Sequence, residues 1–325
     1  MNPFLVKKYQ SENKSDWNNF VSKSKNATFL FYRNFMEYHE DRFEDYSLLI
    51  YKKQKLIAVF PANRVGDIIF SHQGLTYGGL LLQSELKFND VLESFKSLLI
   101  FLCFEGVQHL KVKMIPYFYN SFPSDEISYL LYLLGAQLDR RDALSVIDLN
   151  SDVNISKNRL EGVKKGEKHK LEIKEVTDLD EFWNMILIPN LRLKHGLSPV
   201  HSLQEIKVLK ERFPNNIRQF NVYHKNKIVA GTTIFETKNV AHSQYISGNK
   251  ESSSVGGLDF LYTYLIKEVF VNKRYFDFGN SNENKGRNVN EGLQFWKEGF
   301  GARTVTQDFY KVDTKNYKLL DSIMI

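Results

Sequence analysis

Two spacings of apolar residues organise this chain. In "IYKKQKLIAVF" (50–60) apolar and polar positions alternate around a Lys-rich turn, which predicts a β-hairpin. In "FNDVLESFKSLLIFLCFEG" the residues Phe88, Val91, Leu92, Phe95, Leu98, Leu99 and Leu102 recur at helical spacing, with Asp90 and Glu93 placed as a capping box. "HLKVKMIP" then reads as a strand, "SDEISYLLYLLGA" as a helix capped by Ser124 or Asp125, and "LSVIDL" as another strand. The second half repeats the order. "VYHKNKIVAGTTIF" predicts a hairpin, "SQYISG" a strand, and "GGLDFLYTYLIKEVF" a helix with Leu258, Leu261, Leu265 and Val269 on one stripe. "RYFDFGN" predicts a strand, "NEGLQFWKEGFGA" a helix and "RTVTQDFYKV" a closing strand.

The two halves match residue by residue. Tyr51 answers Tyr223, Lys55 answers Lys227, Ala58 answers Ala230 and Ser71 answers Ser243, each 172 positions on. Later, Gly135 of "LLGAQ" answers Gly301 of "GFGAR", 166 positions on. A repeat of this length is far longer than a solenoid repeat, so each copy can bury its own core. The expectation is two domains, 1–155 and 156–325. The strand, helix, strand passage after each hairpin implies a mixed sheet with a right-handed parallel crossover.

Composition adds limits. At 325 residues, 42% apolar and 25% charged, the chain reads as globular. Its single cysteine, Cys103, permits no intramolecular disulfide. The first residues lack an apolar core of signal-peptide length, and no apolar run is long enough to span a bilayer. These features point to the cytoplasm. A net charge of +6 suits anionic partners such as nucleotides, CoA, tRNA or lipid headgroups without choosing among them. The basic stretch 157–170 reads as a linker helix, or as the rim of a phosphate-bearing ligand's site.

This order of elements resembles the Gcn5-related N-acyltransferase (GNAT) fold present twice, as in the Fem-type aminoacyltransferases. The implied class is mixed α/β (α+β), with two tandem GNAT-like domains, each a twisted mixed sheet flanked by helices. The most specific likeness lies in "FDFGNSNENKGRNVNEGLQFWKEGFGAR", which looks like the Fem-type "FDFG…FKxGFG" segment. The family's active-site lysine then falls on Lys297, preceded by Trp296 where the family has Phe. The loop that cradles the CoA pyrophosphate in GNAT enzymes, Q/R-x-x-G-x-G/A, is replaced by "NKESSSVGGLD". A degenerate loop of this kind is usual for Fem-like proteins.

The resemblance implies an N-acyltransferase moving an acyl or aminoacyl group from acyl-CoA, as co-substrate, to an amine of a sugar or cell-envelope precursor. The alternatives are a Fem-type transferase using aminoacyl-tRNA and a non-catalytic ligand-binding module. No long charged helical arm of the kind that serves tRNA is present, and DNA is not an expected partner. Amide formation needs an oxyanion donor and groups that handle protons. Lys297 is the candidate for the first, Tyr245 and Asp277 for the second. Ser252, Ser253, Ser254, Gly256 and Gly257 are the candidate pyrophosphate seat, at the start of a helix. Strict alternation puts Ser243, Tyr245 and Ser247 on one face of their strand, with His242, Gln244 and Ile246 on the other. Candidate acceptor contacts are His72, Gln73, Tyr77, His195, His201, Gln244, Ser281, Glu283, Arg287 and Asn290. His195 and His201 lack metal-ligand spacing, and no metal is expected. The first copy has Leu131–Leu134 where the lysine would be, so the second copy is expected to hold the chemistry.

Overall fold

The computed structural model describes residues 3–325, apart from the side chains of Lys194 and His195. The two predicted hairpins form with the same register. Leu48–Lys52 pairs with Lys55–Phe60, and Ile217–His224 pairs with Lys227–Glu236. Both carry a bulge at the equivalent place: Ile50 faces Ala58 and Tyr51 faces Leu56, as Val222 faces Ala230 and Tyr223 faces Ile228. The second turn holds Lys225 and Asn226 at φ 48° and 62°, the backbone of a tight hairpin turn. A shared bulge at a fixed offset is hard to reach by composition alone, so the repeat extends to backbone detail.

Two compact units result, and they do not follow the halves of the sequence. One comprises Met1–Asp142 with Thr306–Ile325, the other Ala143–Val305. The expected boundary near 155 gives way because the closing strands are exchanged. In the first unit His109–Lys113 pairs antiparallel with the end of Arg303–Asp313, the strand predicted to close the second copy. In the second unit Tyr275–Asn280 pairs antiparallel with residues 144–148, the strand predicted to close the first. Each unit keeps its own core. Leu48, Phe60, Phe95, Leu98 and Leu130 centre the first, and Val222, Ala230, Leu261, Tyr262 and Phe276 the second. The Phe88–Phe104 helix has Lys87 at its N-cap, three residues ahead of Asp90, the expected start of the capping box.

The second unit's sheet runs Glu172–Val176, Ile217–His224, Lys227–Glu236, Val240–Gly248, Tyr275–Asn280 and the 144–148 segment. All neighbours are antiparallel except Val240–Gly248 with Tyr275–Asn280. The basic helix Lys157–Lys168 belongs to this unit rather than to a linker. Its Gly162 and Gly166 lie so close to the Gly257–Tyr264 helix that a Cβ on either would strike Asp259 or Phe260.

Candidate functional site

The site begins where the two parallel strands separate. Val240–Gly248 pairs with Tyr275–Asn280 only through Val240, Ala241 and His242, which face Tyr275, Phe276 and Asp277. Beyond that rung each strand runs on without pairing with the other. On the far edge Ser243 pairs with Ile234 and Tyr245 with Thr233, so Gln244 is an inserted bulge residue. The bulge overturns the strict alternation expected from sequence. Ser243 Oγ bonds the Tyr262 hydroxyl on the side of the Gly257–Tyr264 helix. The Tyr245 ring instead packs edge-on to Trp183, centroids 4.8 Å apart, on the side of the Trp183–Leu187 segment. One extra residue has divided Ser243 from Tyr245. Gln244 Oε1 is buried with no hydrogen-bond partner among the described residues.

Lys297 is the only fully buried residue of its helix, Glu291–Glu298, and is 2% exposed. Its Nζ donates to the carbonyls of Gly279 (3.1 Å) and Asn280 (2.6 Å), at the end of the separated strand. An ammonium has three N–H donors, so one remains. Burial lowers its pKa to about 8, and the nearby charge of Asp277 works against that shift. Trp296, Phe278 and Phe300 form the aromatic bed of this helix, with Trp296 and Phe300 centroids 4.9 Å apart. The stem of Lys297 therefore leaves an apolar seam for a polar rim.

Asp277 is 2% exposed. Its Oδ1 accepts from Gly279 N at 2.7 Å, and its Oδ2 lies 2.8 Å from His242 Nδ1. The Tyr245 hydroxyl accepts from His201 N (3.2 Å) and lies 2.6 Å from His201 Nδ1. The structure thus brings Tyr245 to His201 and Asp277 to His242. Sequence reasoning did not single out His242. Its signal was a histidine and an aspartate on the two strands flanking the predicted cleft.

A cavity of about 680 Å³ lies in the same unit, lined by Ile246, Ser247 and Gly248 of the bulged strand, Trp296, and Arg159 and Lys165 of the basic helix. Ser252, Ser253 and Gly256 line it too, but they form no open loop of amides. Lys250–Val255 is already helical, and Ser252 N is capped by Asn249 Oδ1 at 2.9 Å. Gly256 turns at φ 77°, and a Cβ there would sit 2.0 Å from Gly162 O. In the first turn of the next helix, Asp259 takes Arg159 Nη1 (2.7 Å) and Trp296 Nε1 (3.0 Å). The short Lys250–Val255 helix and the Asp259 carboxylate stand where the sequence suggested an open loop, and no side chain among the described residues caps the following helix at Gly257. Ser254 donates to Glu251 O, and Gly257 is buried against Ser252. The seat is thus more crowded than an open glycine loop, with the Asp259 carboxylate beside it.

The remaining candidates scatter. In the first unit His72 is 4% exposed, at φ 65°, and burial with the neighbouring His39 lowers its pKa to about 3. It lines a separate cavity of about 640 Å³ with Arg33, Glu37, His39 and Asp45. Gln73 is locked to Asn63 by two bonds of 2.8 Å, and Tyr77 is a core residue bonded to Thr28. In the second unit Ser281 is buried, and its Oγ lacks a partner among the described residues. Asn290 caps the Lys297 helix through Leu293 N, while Glu283 and Arg287 are exposed on a small hairpin. The side chain of His195 lies outside the described residues.

No family model matches this sequence, and no curated protein matches it. Solved structures do match. FemX superposes with a TM-score of 0.66 at 10% identity, covering 97% of this chain and 99% of that one. L-PGS from Bacillus licheniformis gives 0.56 at 12% identity, over 97% and 96% of the two chains. A tandem GNAT protein from the clavulanic acid biosynthesis pathway gives 0.52 at 11% identity, over 96% and 98%. At such identities the likeness is one of fold, and the chain has the tandem GNAT-like, Fem-type fold.

Proposed function

We propose that the second unit transfers an acyl or aminoacyl group to an amine on a sugar or cell-envelope precursor. The observation that carries this reading is Lys297: a buried ammonium held by two carbonyls at the mouth of parted parallel strands, with one N–H to spare. When an amine attacks the donor's carbonyl, negative charge gathers on that oxygen. A fixed donor in a water-poor cleft stabilises it by roughly 3–4 kcal/mol. A lysine kept only for packing would have no reason to be the one buried residue of its helix.

The donor is the open half of the proposal. Acyl-CoA was the first expectation, and an aminoacyl ester carried by tRNA the second. The contact of Gly162 with Gly256 and the placement of Asp259 favour the second, because they crowd the diphosphate seat and set a carboxylate beside it. A ribose ester asks only for the cavity beside Trp296 and its basic wall of Arg159 and Lys165. Native mass spectrometry of the purified protein, with acetyl-CoA calorimetry beside it, tests this choice. The reading expects no CoA adduct and no heat of binding; a co-purifying acyl-CoA would restore the first donor. A first unit that only supports the second, or holds the acceptor, completes the picture.

A further inference from the structure

We propose that His242 is the proton acceptor of this cleft and that Asp277 is its positioning residue. The inference rests on the acyl-transfer reading for its chemistry, but on its own geometry for the pair. His242 and Asp277 face each other on the last rung before the strands separate. The carboxylate oxygen accepts, so His242 Nδ1 carries the hydrogen across the 2.8 Å contact. Its Nε2 then holds the lone pair, and it makes no hydrogen bond among the described residues. The second Asp277 oxygen is fixed by Gly279 N at 2.7 Å, so the carboxylate cannot rotate away. The aspartate itself is too deeply buried and too well bonded to meet a substrate, whereas the His242 side chain keeps 12% of its surface open. An aspartate that holds an imidazole in one tautomer is the arrangement by which a histidine becomes an oriented base.

The same two carbonyl-bearing residues after Asp277 hold Lys297. Gly279 links the two groups: its carbonyl holds Lys297, and a Cβ on it would lie 3.3 Å from His242 Cε1. In the step, the acceptor nitrogen forms a bond to the donor's carbonyl carbon, whose oxygen takes the negative charge beside Lys297. The nitrogen's proton passes to His242 Nε2. The carbon–oxygen or carbon–sulfur bond to the leaving group then breaks, and that atom receives the proton from His242. Atoms and charge balance with no further reactant.

Two measurements test the pair separately from the reading. The first is diethyl pyrocarbonate labelling of the intact protein, read per peptide by mass spectrometry. His242 should be labelled at its Nε2, and Asp277→Asn should slow that labelling at least fivefold by releasing the tautomer. An unreactive His242, or a rate indifferent to Asp277→Asn, overturns the proposal whatever the protein does. The second is acetyl transfer from p-nitrophenyl acetate to glycinamide. If the wild type transfers, His242→Gln should lose on the order of a hundredfold in kcat with KM little changed, and added imidazole should rescue His242→Ala. Transfer at the wild-type rate by His242→Gln overturns the base. No transfer by the wild type, with labelling as expected, counts against this donor and acceptor chemistry and leaves the labelling to decide the pair.

Discussion

The two units contain the same strand junction and treat it in opposite ways. In the first, Ile68–Phe70 runs parallel to His109–Lys113 through three residues, with Phe70 facing Lys111. In the second, the corresponding three residues end on His242 facing Asp277. Past that rung the first junction is sealed by its own chain. Ser71 N donates to Lys111 O (2.9 Å), Lys113 N to Ser71 Oγ (2.9 Å), Gly78 N to Lys113 O (2.7 Å) and Lys113 Nζ to Leu75 O (3.1 Å). The second junction has no such loop among the described residues, and two buried acceptors near it, Gln244 Oε1 and Ser281 Oγ, are unpaired. Where the second unit places Lys297, the first places Leu131, which is fully buried. A duplicated backbone thus offers the same gap twice. Backbone polar groups must find partners; in the first unit a loop provides them, and in the second no such loop does so among the described residues.

Breaking the contrast at its centre should have the largest effect. Lys297→Met keeps the stem and removes the charge, so acyl transfer should fall about a hundred- to a thousandfold while the melting temperature moves little. Transfer within a few-fold of wild type would make Lys297 a packing residue like its counterpart. The reverse exchange, Leu131→Lys, should not create a second site. The first unit has no carbonyl pair shown to receive an ammonium there, so a buried unpaired charge should destabilise by about 3–5 kcal/mol. Urea unfolding reads that loss, and an unchanged midpoint would mean the two helices are interchangeable. The smallest expected effect concerns the seal. Ser71→Ala removes the acceptor for Lys113 N, at a cost of about 1–3 kcal/mol. Hydrogen exchange at the Lys113 amide should then speed up; continued protection would show that the loop does not depend on this bond.

Much of this was legible in the sequence. The hairpins, the repeat at 172 residues, the helix bearing Lys297 and the crossover between Val240 and Tyr275 all follow from local spacing. The strand exchange was not, because "LSVIDL" and "RTVTQDFYKV" carry the alternation of any closing strand and their partners are chosen at long range. The bulge at Gln244 was hidden for a related reason. A single inserted residue leaves composition untouched yet reverses which side chains share a face, and so separated Ser243 from Tyr245. The crowded seat at Gly256 was half visible. The serines and glycines of "NKESSSVGGLD" resemble an anion loop, but the close approach of Gly162 lies ninety-four positions away in sequence.

The central claim is that Lys297 acts as an ammonium in the second cleft, and its pKa of about 8 makes this readable within an ordinary pH range. The measurement is the pH dependence of kcat for acetyl transfer from p-nitrophenyl acetate to glycinamide, with each rate corrected for the uncatalysed reaction. As pH rises through about 8 the lysine loses its proton and the oxyanion its partner, so the account predicts a falling limb there that Lys297→Met abolishes. Because the acceptor amine also titrates here, the comparison is the ratio of wild-type to Lys297→Met rates, and a ratio that stays flat or rises through about pH 8 would contradict the account.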